Sequence, residues 1–158
     1  MTEIQKELER IVGYIKRDLK LDGLLFYYST PAEFIQLLTS TSKHKDKYPF
    51  FFVNSLNVKY DYKTHVCTVD DIVLATWSKE DWTTKKREQE SMKRLKPIYD
   101  EFLRRCYFDP NISLFKQGEM YPHYFYCKTG IIGHEDGTFP DHVDAIQLKN
   151  IQFRIFNK

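Results

Sequence analysis

Asp70 and Asp71 stand side by side inside an apolar run, and adjacent carboxylates on a strand are one half of a metal-dependent phosphodiester-cleaving site. Such a site also needs a lysine at a neighbouring strand position. The two Asp-x-Lys pairs of the chain, Asp18/Lys20 and Asp61/Lys63, fall instead at a helix end and in a connection. A second polar cluster runs from His134, Glu135 and Asp136 through Gly137 to Asp141, His142 and Asp144. Histidine and carboxylate side chains bind a cation only when they converge in a fixed geometry. This cluster sits in a glycine-punctuated stretch, and its spacing matches no standard ligand helix, so it reads as a solvated loop in which Asp141 and Asp144 turn the chain into a strand. Cys67 and Cys127 lie near His65 and His123, but a thiol nucleophile also needs an orienting group, and none is set by spacing. There is no phosphate-cradling glycine loop. These residues assign no catalysis, no metal and no cofactor.

The richest charged feature is a basic helix over Thr84 to Tyr107. On a helical wheel Arg87, Arg94, Arg104 and Arg105 share one flank, and Lys86, Lys93 and Lys96 the other. Met92, Leu95, Ile98, Tyr99, Phe102 and Cys106 form the apolar stripe between them. Glu88, Glu90, Asp100 and Glu101 can pair with the cations and leave a solvated face. The alternative use is contact with an acidic partner or with DNA phosphates, for which Lys85, Lys86, Arg87, Lys93, Arg94 and Lys96 are the candidate residues. Phosphate contact of that kind is salt-dependent and carries no sequence preference. Pro97 lacks an amide donor and predicts a kink or restart.

The elements that must position this helix can be read in order. Ile4, Leu8, Ile11, Val12 and Ile15 recur at helical spacing and predict an amphipathic helix ending between Leu19 and Gly23. Leu24 to Tyr28 is a short strand. Thr30, Pro31 and Glu33 form a helix start in which threonine caps, proline takes the first turn and glutamate closes a capping box. Phe34, Ile35, Leu37 and Leu38 supply that helix's apolar face. Lys43 to Lys47 is a solvated basic loop, Phe50 to Val53 a strand, and Asn57 to Thr64 a polar connection. Val66 to Trp77 is a longer strand whose alternation breaks at Asp70 and Asp71, which predicts a bulge or an edge. Ile112–Phe115 and Tyr121–Cys127 are strand candidates. Val143 to Phe156 closes the chain, with a parity shift that predicts a bulge near Asn150.

The resulting class is α+β: a mixed, mainly antiparallel sheet packed against two or three helices, in the order α-β-α-β-β-α-β-β, over a single domain spanning residues 1–158. The chain has 158 residues, 42% of them hydrophobic and 16% aromatic, enough to fill one core and too apolar for a disordered chain. Its 11 tyrosines and 12 phenylalanines suit either a β-rich core or a broad contact surface. A formal charge of +2 does not announce a nucleic-acid binder, so such a role has to come from local patches. Three widely spaced cysteines form no zinc pattern and predict buried thiols in a reducing compartment. The charged first residues are unlike a signal peptide, and no stretch has the length of a membrane span, which predicts a soluble protein made in a cytoplasm.

Several segments together resemble a known family. Tyr48-Pro49 precedes a strand; another strand ends in Ala75-Thr76; Thr83 and Thr84 come shortly before Arg87. Leu95-x-Pro97-Ile98-Tyr99-x-x-Phe102-Leu103 follows, then Tyr126-x-x-x-Gly130 and Phe139-x-Asp141-x-x-Asp144-Ala145-Ile146-x-Leu148. This set is similar to the neck and tail-terminator (head–tail connector) proteins of tailed bacteriophages, closest to those of Bacteroides-infecting and crass-like phages, over about Leu8 to Ile155. The unusually basic character of Lys85–Arg87 and Lys93–Lys96 is not assigned to that pattern. The resemblance implies a terminator-like fold and a non-enzymatic virion protein without cofactors. It implies a homo-oligomeric ring at the head–tail junction, assembled in the host cytoplasm, with portal-adaptor, neck or tail proteins as neighbours and packaged DNA in its lumen. Asn54–Val66 and Gly130–Asp141 are the segments expected to reach adjacent subunits. The alternatives are a metal-dependent DNA-processing enzyme using Asp70, Asp71 or the 134–144 cluster, and a stand-alone DNA-binding module using the basic helix.

Overall fold

In a computed structural model of the chain, residues 3–40, 48–114, 123–128 and 141–156 are described. Helix α1 covers Glu3–Asp18, strand β1 Leu25–Ser29, helix α2 Pro31–Ser40 and strand β2 Phe50–Asn54. A 3-10 turn at Ser55–Asn57 leads into β3, Val58–Asp61, and β4, Val66–Trp77. The basic segment is α3, Thr84–Arg87, a π turn at Glu88–Met92, and α4, Lys93–Phe108. Strands β5, Ile112–Leu114, β6, His123–Lys128, and β7, Val143–Ile155, complete the chain. This is the expected α+β class, but the expected order is corrected: β3 is additional, and three strands, not two, follow the long helix. The predicted loop at Lys43–Lys47 and the cluster from His134 to Gly137 lie outside the described residues.

The seven described strands belong to one sheet, ordered β1-β2-β4-β7-β5, with β3 on β4 and β6 on β7. Among the described pairs only β1 and β2 run parallel. Strands β4 and β7 form a long antiparallel pair from Val66↔Arg154 to Trp77↔Val143. Each exchanges one outer neighbour for another along its length. β4 pairs with β3 through Val69 and with β2 from Ile72, whereas β7 pairs with β6 through Gln147 and with β5 from Phe153.

Two cores sandwich the sheet. On one face α1 and α4 cover Phe51, Val53, Cys67, Val69, Ile72 and Leu74 of the sheet; the other face joins Phe50, Phe52, Val73 and Ala75 to α2. The three consecutive phenylalanines therefore serve both layers by simple strand alternation. Phe34 stacks on Phe52 at 4.4 Å and meets Phe50 edge-on at 4.9 Å, while Phe51 meets Phe102 of α4 at 5.0 Å. The Thr30 cap forms as expected: its hydroxyl accepts from the Glu33 amide at 3.2 Å and donates to the Glu33 carboxylate at 2.8 Å. Leu37, expected on the apolar face of α2, is exposed.

Three expectations are corrected in detail. The polar connection Asn57–Thr64 folds back on β4 as strand β3, because Val58 and Tyr60 alternate inward although the residues between them are polar. The irregularity of the basic helix lies at Glu88–Met92, where the Lys93 amide donates to the Glu88 carbonyl five residues back; Pro97 continues the helix without ending it. The parity break in β7 leaves the register with β4 intact. Inward positions pass from Val69 to Ile72 on β4 and from Leu148 to Ile151 on β7, and the rungs Val69↔Ile151 and Asp71↔Lys149 flank the change. Both strands switch faces at the same place, which is also where their outer neighbours change. Asn150 takes a φ of 53° there, a left-handed conformation that asparagine tolerates better than most residues.

Candidate functional site

Helix α3 starts on Thr83, whose hydroxyl accepts from the Lys86 amide at 3.1 Å. That start sets the phase of everything after it. Arg87 and Ser91 extend the buried stripe of Leu95, Ile98, Phe102 and Cys106 toward the N-terminus. Arg87 is only 4% exposed, so the partner or DNA contact expected of it from the sequence is corrected for this residue. Its guanidinium donates to Asp144 at 2.7 Å, to Ser78 at 2.9 Å, and to the carbonyls of Lys79 and Glu80 at 2.7 and 3.2 Å. The Ser91 hydroxyl donates to the second Asp144 oxygen at 2.6 Å, and Asp144 itself is fully buried. Both ions thus have hydrogen-bonding neighbours, the condition under which a buried pair is tolerated. Arg94, farther along the helix, donates to Thr76 at 3.2 Å, and Thr76 pairs with Asp144 in the ladder.

The remaining cations behave differently. Lys85, Lys86, Lys93, Arg94 and Lys96 are all exposed, and the acids on the same stretch, Glu88 and Glu90, number two against these five. Lys86 reaches Glu90 at 3.6 Å and lies over Trp82 at 5.6 Å. Lys96 lies over the Tyr124 ring at 5.8 Å, and an open groove of about 260 Å³ between α4 and β6 is lined by Glu88, Met92, Lys93, Lys96 and Tyr124. Among the described residues neither Lys93 nor Lys96 makes an ion pair. A face with surplus positive charge, an aromatic ring and lysines on long flexible stems can take anionic polymer or an acidic protein surface.

Arg104 and Arg105 belong to another system. Both pair with Glu101, and Arg105 also pairs with Asp18 of α1. Arg10, Arg17 and Arg105 surround the Tyr14 ring at 5.6, 5.0 and 5.7 Å. Arg10 further bridges Glu7 and Asp109 at 2.6 Å each, tying α1 to the end of α4. Burial acts to raise the Asp109 pKa, but the hydrogen bond from Arg10 and the amides of Asn111 and Ile112 outweigh it and hold the carboxyl below its usual value. These arginines clamp helices together with matched carboxylates.

Among the described residues the acid and thiol candidates do not converge. Asp71 is buried and accepts a hydrogen bond from Gln147, and burial raises its pKa. Cys67 is buried, which pushes its thiol up to about 11 and keeps it protonated at neutral pH. His65 turns its Nδ1 toward the Tyr60 hydroxyl at 3.4 Å. Asp141 accepts from the Tyr48 hydroxyl at 2.9 Å, and burial followed by that carboxylate raises the tyrosine's pKa. Among the described residues no group of three histidine, cysteine or carboxylate side chains is placed to hold a metal. No helix among them is long and apolar enough to cross a membrane.

Residues that are far apart in sequence thus meet at one end of the sheet: Tyr48 with Asp141, Thr76 with Arg94, and Arg87 with Asp144. No family model and no curated protein matches this chain.

Proposed function

We propose that this chain is a structural virion protein of a tailed bacteriophage, a neck or tail-terminator component that forms a ring at the head–tail junction around the DNA passage. The observation that carries the reading is the mutual contact of the resembling residues. Tyr48–Asp141 and Arg87–Asp144 hold the pre-β2 segment, α3 and the start of β7 together at one end of the sheet. A set of similar residues that form one another's contacts supports a shared fold; the step from fold to function is by analogy. Strand β3 pairs with β4 along one edge and has no described partner along the other. An unpaired edge suits strand addition by a neighbouring copy, and a head-to-tail contact repeated by rotation closes a ring. Lys85, Lys86, Lys93, Arg94 and Lys96 are the residues assigned to the DNA passage or to an acidic neighbour.

Negative-stain imaging and light scattering of the purified protein, alone and with tailless heads, test the proposal. The expected result is a ring, or incorporation at the portal vertex. A protein that stays monomeric in both settings and is missing from purified virions overturns it. The surplus charge of Lys93 and Lys96 also favours a second reading, a stand-alone DNA-binding module. That reading expects a monomer whose affinity for duplex DNA falls steeply with salt.

A further inference from the structure

At the far end of the sheet from the Arg87–Asp144 pair, an opening lies between the first described turn of α1 and β3. The opening is a cavity of about 450 Å³ whose walls include Tyr28, Tyr60, Tyr62 and Glu3, over an apolar floor that includes Ile4 and Cys67. Tyr60 and Tyr62 stand edge-to-face, with centroids 4.6 Å apart and ring planes at 73°. Tyr62 is 82% exposed, so most of its side chain is accessible to a ligand. Tyrosine rings and the Glu3 carboxylate in the lining both favour a cation in the opening. Glu3 is close enough that, after burial, its charge is the next influence raising the Tyr60 pKa.

We propose that this cavity receives an arginine side chain presented by a polypeptide partner. A guanidinium is planar, weakly hydrated and permanently charged, so it stacks on a tyrosine face and pairs with a carboxylate at lower desolvation cost than an ammonium. Its methylene stem lies along the apolar floor. The volume lies within the range of small-ligand sites, about 300–1,000 Å³, and accommodates the whole side chain. The assignment does not depend on the ring reading, and its failure leaves that reading where it stands.

The test is an NMR titration of the full chain with N-acetyl-arginine methylamide, following the tyrosine ring signals. Matched titrations use the uncharged citrulline analogue and tetramethylammonium. The expected result is saturable shifts of Tyr28, Tyr60 and Tyr62 with the arginine probe and none with citrulline. Tyr62→Ala should weaken binding by about two- to fivefold, the value of one exposed cation–π contact. Glu3→Gln should also weaken it, and the loss should shrink at high salt. Tyr62 is exposed, so its variant should fold, which circular dichroism checks; should it not, Glu3→Gln decides alone. The proposal is overturned if the arginine probe gives no saturable shift, if citrulline binds equally well, or if both variants bind as the parent does. Saturation by tetramethylammonium without saturation by the arginine probe overturns it too, assigning the cavity to free quaternary amines.

Discussion

The guanidinium of Arg87 lies 2.7 Å from the carboxylate of Asp144, 57 residues later in the chain, with both side chains closed off from water. This contact takes one of six candidate surface cations out of the interface and makes it part of the framework. Removing one member of a buried pair leaves the other charged and unpaired. Arg87→Ala is therefore expected to destabilise the fold by roughly 3–5 kcal/mol, read as a lowered midpoint in urea unfolding. Replacing both ends by apolar residues, Arg87→Met with Asp144→Leu, should recover much of that loss. Equal losses for the single and double variants would show that the pair is not the source of the effect.

Asp71 behaves in the opposite sense. Burial lifts its folded pKa above the value of an unfolded aspartate, so the native state holds the proton more tightly. Its contribution to stability therefore grows as pH falls through the folded pKa and is unfavourable above it. Asp71→Asn keeps a partner for Gln147 and removes the buried charge. It should raise stability at pH 7, and the advantage over the parent should vanish by about pH 4, near the unfolded aspartate value. Unfolding curves at both pH values check this; an advantage that persists at low pH contradicts it.

How far the sequence reveals this arrangement depends on the range of the signal. The buried face of α1, the Thr30 start of α2 and the limits of β4 at Val66 and Trp77 follow from local periodicity and capping chemistry, and they form accordingly. Strand β3 is hidden because Lys59 and Asp61 face water and only Val58 and Tyr60 mark the inward side. Arg87 groups with Lys85 and Lys86 when charge is considered before helical phase. Counting back from Leu95 and Ile98 places Arg87 and Ser91 on the buried stripe, a signal present in the chain. Its partner Asp144 is not legible, since nothing local ties residue 87 to residue 144. The matched face switch of β4 and β7 is half visible: each strand shows its parity break, but only the shared register shows that they cancel.

That switch coincides with Asn150, with its φ of 53°. A β-carbon costs about 1–2 kcal/mol in the left-handed region, less for asparagine, and glycine avoids the cost. Asn150→Gly should stay within about 0.5 kcal/mol of the parent, the range of a neutral surface change. Asn150→Val should lose about 1–2 kcal/mol, since a β-branched residue is least suited to that conformation. Thermal or denaturant unfolding of the two variants separates them. Similar stabilities for both would mean that the left-handed turn is not what permits the strands to switch faces.

The exposed lysines should respond in the reverse pattern to Arg87. Lys93 and Lys96 border the groove beside Tyr124 and make no ion pair among the described residues. Lys93→Ala and Lys96→Ala should each leave stability within about 0.5 kcal/mol, as expected for surface changes. If the face meets DNA, each change weakens binding by a similar factor across unrelated sequences. Each should also lower the slope of log affinity against log salt by about one phosphate contact. Filter binding on two unrelated duplexes over a salt series measures both quantities. An unchanged slope with weakened assembly would reassign the lysines to an acidic protein neighbour, because a protein interface releases no condensed counterions from a duplex. Charge reversal sharpens the distinction: Lys93→Glu should abolish phosphate contact, and a compensating basic substitution on the neighbouring protein should restore assembly while leaving DNA affinity low.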